Sequence, residues 1–498
     1  MLGTFVFLVI TVLCTIIWNL VISLRRPHNY PPGPKWIPWV GNTHQIQQLA
    51  KELGGSHLAY EHLSREYKSP VIGLKLGHDY VVVALGYEMV REIHTREEFQ
   101  ARPDNFFIRL RTMGTRLGIT CTDGPLWSEH RSFTTRHLRQ AGYARQPMEL
   151  QVQTELMDLI DYIKSLKSKP TWPASFLAPS VINVLWTLAT GKRIPRDDKR
   201  LSNLLTMLEK RSKAFDVAGG LLSQLPWLRF IIPEKSGYNL IQNFNMELHK
   251  MFMEIINEHK LNYCEENSAD DLVYAYIKES KSREGRPDNT FTDVQLTMTI
   301  LDIFIAGSQT TSNTLNIALM MMLVRPDIQD KIINEIDTHF PRPNVPKYQE
   351  KSLLPYVEAY LMEVQRFFSI APTTGPRRAL KTTTLGSYTV PENATILIGL
   401  RSVHMDAKHW GDPEVFRPER FLSEEGNIIS NEYFMPFGQG KRRCLGDYLA
   451  RTCLYTFFVG IMQNFRLKLP DNESVPSTNL LPGLTMSPKP YKVSFVPR

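Results

Sequence analysis

The sequence predicts a mainly α-helical protein with small β-sheets, a single large domain behind an N-terminal transmembrane helix. Three observations carry this. Helical periodicity runs through residues 149–163, 201–215, 238–260, 292–323 and 356–368, whereas strand-like runs are short, at 71–74, 80–83 and 395–398. Residues 2–24 carry no charge and are mostly Leu, Ile, Val and Phe, long enough to cross a hydrocarbon core of about 30 Å. The remaining chain has ordinary globular composition, with no internal repeat and no low-complexity block.

Residues 1–24 are expected to be an uncleaved signal anchor. No basic residue precedes the apolar run, and no small-residue cleavage site follows it. Arg25 and Arg26 come next, which keeps the downstream side cytoplasmic. Residues 25–40 contain Pro31-Pro32-Gly33-Pro34, which cannot form a helix and reads as a stiff hinge. Residues 41–498 then form the body. Its longest helix opens on Thr292-Asp293-Val294-Gln295, a capping box, and stops at Pro326. About thirty residues at 1.5 Å each give roughly 45–50 Å, enough to cross a whole domain. The charge-free part of this helix is not read as a second membrane span, because residues 308–314 are too polar for lipid exposure. Gly307 at its centre costs about 1 kcal/mol against Ala and calls for a reason. The polar stretch 279–289 reads as an exposed loop within one domain.

Five cysteines (Cys14, Cys121, Cys264, Cys444 and Cys453) show neither paired nor zinc-like spacing, so a reducing compartment is the simplest fit. The net charge of +8 suits a mildly basic surface facing an anionic membrane or an acidic partner. It is spread along the chain with no basic tail, which argues against nucleic acid.

Cys444 is the most informative residue. It sits in Phe437-Gly438-Gln439-Gly440-Lys441-Arg442-Arg443-Cys444-Leu445-Gly446, between Met435-Pro436 and an apolar, helix-compatible stretch. Two arginines and a helix N-terminus favour a thiolate. Glycines let backbone approach a large flat ligand closely. The pattern Phe-x-x-Gly-x-Arg-x-Cys-x-Gly resembles the haem-binding loop of the cytochrome P450 family.

That resemblance covers the chain from Pro31 to its end and implies a single haem domain with haem b on the Cys444 thiolate. Phe437, Gly440 and Arg442 belong to the same loop. Ala306-Gly307-Ser308-Gln309-Thr310-Thr311 is similar to the family's oxygen-binding groove, where a small pair lets the helix bend and an acid–alcohol pair relays protons. Thr310 fits the alcohol. Gln309 stands where the family usually has the acid, and an amide orients water without ionising. Glu363, Arg366 and Arg420 look like the structural triad, a buried acid with two arginines that is stable only as a fully hydrogen-bonded set. Trp127 and Arg131 resemble the helix that binds the haem propionates, with Arg377 and Arg102 as further carry-overs. His130 and His404 receive no role.

The function so implied is monooxygenation of a lipophilic substrate, with electrons from NADPH through a flavoprotein reductase, at the cytoplasmic face of the endoplasmic reticulum membrane. Lys441, Arg443, Arg136 and Arg139 are the basic residues expected to meet the reductase. The cavity wall should come from the segment after Arg102 and from 215–232, 303–309, 371–375 and 481–486, mostly apolar. Gln309, the length and the anchor–hinge layout look like a small set of arthropod microsomal members that includes methyl farnesoate epoxidases. This points to a sesquiterpenoid such as methyl farnesoate or farnesoic acid. The alternatives are a broad xenobiotic or steroid hydroxylase, and a haem-thiolate isomerase or dehydratase that needs no reductase.

Overall fold

The computed structural model describes residues 2–140, 146–215, 220–266 and 271–498. The first apolar run forms helix α1, Leu2–Leu24, and every side chain described along it is exposed, Phe5, Phe7 and Trp18 among them. Other α1 side chains lie outside the described residues. Among the described residues no helix is long and apolar enough to cross a membrane.

The segment read as a hinge is bound to the body. The Arg26 guanidinium donates to the carbonyls of Gly33 and Pro34, Gly73 N–H donates to Pro32 O at 2.8 Å, and Tyr30 Oη reaches the carbonyls of Leu74 and Val81 at 2.9 Å each. The fit explains Gly33, where a Cβ would lie 2.3 Å from Gly73 O.

That edge belongs to a four-stranded sheet. Strands β1 (Val71–Leu76) and β2 (Asp79–Leu85) are antiparallel, with Val71 opposite Ala84. Strand β3 (Thr373–Arg378) was not evident from sequence. It pairs antiparallel with β4 (Thr395–Gly399), which runs parallel to β2 with Val81 opposite Thr395, giving the order β1-β2-β4-β3. All three strand-like runs in the sequence therefore meet in one sheet.

Helices build the rest, numbered on from α1. Those that frame the site are α2 (Tyr87–Thr95), α3 (Phe106–Arg111), α4 (Gly124–Gln140), α5 (Gln146–Ser165), α6 (Ala174–Thr190), α7 (Lys199–Ala214), α8 (Tyr238–Leu261), α9 (Asp293–Val324), α10 (Pro326–His339), α11 (Pro355–Phe368) and α12 (Asp447–Asn464). Helix α9 is the long helix expected across the domain. Residues 315–323 are buried on all sides among α5, α6, α11 and α12, which is why the run is apolar apart from Asn316, whose Oδ1 accepts from Tyr491 Oη at 2.8 Å. Its start is half a capping box. Thr292 Oγ1 accepts from Gln295 N–H at 3.2 Å, but the Gln295 amide turns away to pair with Gly118, accepting its N–H at 2.9 Å. The helix ends at Val324 as the sequence implies, and Pro326 opens α10 directly after the non-helical Arg325. Helix α6 went unread because it is apolar all round and carries Pro179, so no period marks it. It lies close against α9, where a Cβ on Gly307 would sit 2.3 Å from Leu185 Cδ1.

Helix α11 carries a fully buried ion network. Arg366 grips Glu363 with two bonds, Nε to Oε2 at 2.7 Å and Nη2 to Oε1 at 2.8 Å. Arg420 Nε and Arg417 N–H also donate to Glu363 Oε1, at 3.1 and 2.9 Å. The spare Arg366 donors meet the carbonyls of His404 and Pro413. His404 extends the chain. Its Nε2 accepts Met435 N–H at 3.2 Å, so Nδ1 carries the proton and donates to Ser369 Oγ at 2.9 Å. Burial, with Arg366 and Arg401 nearby, pushes His404 down to about 3 and keeps it neutral. The triad thus reaches, through one histidine, the backbone that leads into the Cys444 loop.

Breaking a buried pair by removing one partner costs about 3–5 kcal/mol. Glu363→Ala is therefore expected to lower the thermal midpoint steeply or to prevent accumulation of folded protein. Glu97→Ala, which removes an exposed pair with Lys441, should shift it little. Equal shifts in the two variants would exclude the network as the support of this region.

Candidate functional site

The Cys444 loop is fixed by its glycines and by α2. Gly438 and Gly440 adopt φ of 66° and 71°. A Cβ on Gly440 would lie 2.2 Å from His94 O, so the loop closes directly on the α2 backbone. A short turn, Gly440–Arg442, follows, and Cys444 N–H donates to Phe437 O at 2.9 Å. Helix α12 starts three residues on. Cys444 is buried within the protein mass and owes its exposure to the cavity it faces. Burial raises its thiol above the ordinary value; the Gly446 N–H pulls the other way, Asp447 raises it further, and Arg131 and Arg451 lower it. The expectation that neighbouring cations and the helix N-terminus favour the thiolate is thus outweighed by burial. Metal coordination ionises a thiol outright, so iron rather than the arginines would supply the thiolate.

The cavity holds about 520 Å³ and is walled mainly by apolar side chains. Cys444 and Phe437 line one part of it, and α9 lines another with Ala306, Gly307, Gln309 and Thr310. Thr310 Oγ1 donates to Ala306 O at 2.9 Å, and Ser312 and Thr314 make the same i−4 bond to Ser308 and Thr310. The segment after Arg102 contributes Ile119 and Thr120, and residues of 303–309, 371–375 and 481–486 line the wall as expected. Among the described residues none of 215–232 does, and 216–219 lie outside them. Val181, Leu185 and Leu188 of α6 stand in the wall instead, with Arg211 of α7.

Four guanidinium groups gather at one edge. Arg131 donates to Arg443 O at 2.7 Å, Arg102 to the carbonyls of Gly375 and Pro376 at 2.8 and 2.7 Å, and Arg442 to Gln100 O at 2.9 Å. Arg442 stacks on Trp127 at 3.8 Å, with Arg131 at 5.8 Å from the same ring. Arg377 is almost fully buried, and its Nε and Nη1 have no hydrogen-bond partner among the described residues; nor do Arg102 Nε and Arg442 Nη1. Burial and mutual repulsion push Arg377 down to about 8 and Arg442 to about 9, and burial lowers Arg102 and Arg131. None of the four forms a side-chain ion pair among the described residues. An anion must complete such a cluster. A flat apolar macrocycle with two carboxylates and an axial thiolate site fits this wall, this edge and Cys444. Every site residue singled out in the sequence (Cys444, Arg442, Trp127, Arg131, Arg377, Arg102, Phe437, Gly440, Gln309 and Thr310) lies on the cavity or in the loop that bounds it.

Three groups escaped sequence reading. His94 lines the cavity beside Arg377, and burial with that neighbour pushes it down to about 4. His404 is placed by tertiary contacts alone. Arg211 had a signal: it continues the buried stripe Leu201, Leu204 and Leu208, where a charge is out of place. His130 does not line the cavity; its ring stacks on Tyr276 and lies tilted against Phe291.

A family model described as cytochrome P450 matches residues 31–495. The chain is 51% identical to "Probable cytochrome P450 305a1" of Drosophila melanogaster over 99% of both chains. It is 36% identical to "Farnesoate epoxidase" of Bombyx mori, again over 99% of both. It is 32% identical to "Cytochrome P450 2J2" of Homo sapiens over 96% of this chain and 93% of that one.

Four buried histidines set the acid stability. His57, His94 and His130 are pushed down to about 4 and His404 to about 3, burial being the main cause in each. Below the ordinary value of 6.5 the unfolded chain binds these protons and the folded chain does not. Their stabilisation is therefore complete above pH 6.5 and is lost as pH falls towards 4. Each contributes about 1.4 kcal/mol per pH unit in that window. His259, raised by its Asp271 bond against burial, works the other way. The thermal midpoint should fall steadily from pH 7 to 5, and a flat profile would contradict the assignment.

Proposed function

Because the chain belongs to the cytochrome P450 family, we propose that it is a membrane-held haem-thiolate monooxygenase that inserts one oxygen atom into a lipophilic substrate. Haem on a cysteine thiolate supplies the activation of dioxygen. The observation that carries the reading is one cavity with Cys444 and Thr310 on its wall and, at its edge, four guanidinium groups that form no side-chain ion pair among the described residues.

The chain's own residues divide the work. Cys444 would ligate the iron. Arg102, Arg131, Arg377 and Arg442, with the Trp127 indole, would hold the propionates, and Phe437 and Gly440 close the loop beside them. Thr310 holds its proton against Ala306 O and keeps its oxygen lone pairs for a water in the cavity. Gln309 orients water or a substrate carbonyl without ionising. The apolar wall keeps bulk water out.

The substrate we favour is a sesquiterpenoid, methyl farnesoate or farnesoic acid, on the strength of the relative named for farnesoate epoxidation. A broad xenobiotic or steroid hydroxylase suits the same apolar wall. A reductase-independent isomerase or dehydratase has no use for Thr310. NADPH and a flavoprotein reductase supply electrons, docking on exposed Arg136, Arg139 and Arg443; Lys441 is paired with Glu97. The exposed apolar side chains of α1, followed by Arg25 and Arg26, support a single anchor in the endoplasmic reticulum with the body in the cytosol. In this reading residues 1–24 are the anchor, 25–40 the basic, Pro-rich hinge that packs on the body, and 41–498 the haem domain.

Cys444→Ser is expected to abolish the thiolate–carbon monoxide band. Thr310→Ala should keep that band yet release peroxide in place of product, with a loss of about 10²–10⁴-fold if proton delivery runs through this hydroxyl. A surviving band in the first variant, or full coupling in the second, would remove the corresponding role.

Reconstitution with reductase, NADPH and methyl farnesoate or farnesoic acid should yield an epoxide. Turnover of unrelated xenobiotics without any epoxide would eliminate the hormone-like substrate. Protease added to sealed microsomes should digest the body, and protection would reverse the orientation.

A further inference from the structure

Arg211 is a cation in the cavity wall with no ion-pair partner among the described residues. It sits on α7 with 1% of its surface exposed, and it is one of the residues that line the cavity. Its Nη1 has no hydrogen-bond partner among the described residues, and the Phe244 ring lies 5.6 Å away.

Among the described residues the titratable groups that act on it are Arg111, Cys121 and Asp302. The Asp302 carboxylate is fully engaged. Its Oδ1 pairs with Arg111 Nη2 at 2.9 Å, and its Oδ2 accepts the N–H groups of Ile119 and Thr120 at 2.7 and 2.8 Å. The Cys121 sulfur accepts Arg111 Nη1 at 2.7 Å, and burial raises that thiol, which keeps it uncharged. Two guanidinium groups therefore share one carboxylate. Burial and Arg111 push Arg211 down to about 9, still cationic at neutral pH.

We propose that Arg211 anchors the carboxylate of a lipophilic acid whose apolar tail runs along α9 towards Cys444, so that the substrate class is amphipathic acids rather than neutral lipids. The inference rests on the cavity being the oxygenation site proposed above. A neutral ester or ketone offers Arg211 one acceptor but no charge, whereas a carboxylate answers both. One unanswered charge suits a monoanion better than a phosphate. Asp302 and Thr310 lie on the same helix, eight residues and so about 12 Å apart. With carbon–carbon bonds near 1.5 Å, the acid needs roughly ten carbons or more to span that length.

The test measures binding to the full-length, haem-loaded protein by calorimetry and by the Soret shift. The probes are dodecanoic and farnesoic acids, their methyl esters, and hexanoic acid as a short control. Wild type should bind each long acid about tenfold or more tighter than its ester and than hexanoic acid; Arg211→Met, which keeps the bulk, should remove that margin and leave ester affinity within about twofold. Arg211→Lys, which keeps the charge but not the fork, should retain part of the margin. Equal binding of acid and ester by wild type, or an unchanged margin in Arg211→Met, would overturn the proposal. Should Arg211→Met fail to fold, the wild-type acid–ester margin and the lysine variant decide. A protein that lacked the thiolate–carbon monoxide band would instead fail the oxygenation reading, while the calorimetric margin would still judge Arg211.

Discussion

Positive charge crowded at the edge of an apolar cavity is the constraint on which the rest of this structure turns. Arg102, Arg131, Arg377 and Arg442 arrive from separate segments, and the first, second and fourth are held by backbone carbonyls rather than by acids. A carbonyl partner orients a guanidinium without neutralising it. The cluster is therefore preset for an anion and remains unfavourable without one, which is how a preorganised electrostatic site differs from a structural ion pair. Glu363 with Arg366 and Arg420 shows the contrast. There an acid sits among the cations, every donor is used, and the result is scaffold rather than binding surface.

The scaffold and the site are joined through His404. A neutral imidazole can accept from Met435 and donate to Ser369 at once, and a protonated one cannot accept. Burial that denies His404 a proton thus preserves the link between the triad and the backbone entering the Cys444 loop. On the opposite wall, α9 meets two demands that would conflict in an ordinary helix. It must pack closely on α6, which Gly307 permits by leaving room for Leu185. It must also present hydroxyls to the cavity, and Thr310 and Thr314 first satisfy theirs on their own backbone. The reason for Gly307 is this close packing.

Much of this was legible in the sequence, and the division has a physical basis. Helices that bury one face, such as those around residues 201–215 and 238–260, carry a period that composition cannot hide. Helix α6 buries nearly all of its surface, so it has no period to read. Strand β3, Thr-Thr-Gly-Pro-Arg-Arg, exists because β4 offers it an edge and not because its residues favour a strand. The Cys444 loop was legible because its chemistry requires particular residues at fixed spacing. His94 and His404 were not, since each is placed by contacts distant in sequence. At Cys444 the fold adds what the sequence could not show, a burial that raises the free thiol against the pull of Arg131 and Arg451.

Gln309 gains a second meaning from the charges around it. A carboxylate at that position would face the same cavity as the guanidinium groups of the edge and Arg211. In a low-dielectric space, charges of opposite sign interact over many ångströms. An ionised side chain there would offset part of the surplus positive charge and would repel any anionic substrate passing along α9. An amide keeps hydrogen-bonding capacity at that point and leaves the surplus intact. Asp302, seven residues earlier on the same helix, is the acid α9 does carry into this wall, and Arg111 and two backbone N–H groups silence it. The helix that faces the substrate space is thus electrically quiet on the acidic side, and with the edge arginines assigned to the propionates, Arg211 is the cation left to meet what enters.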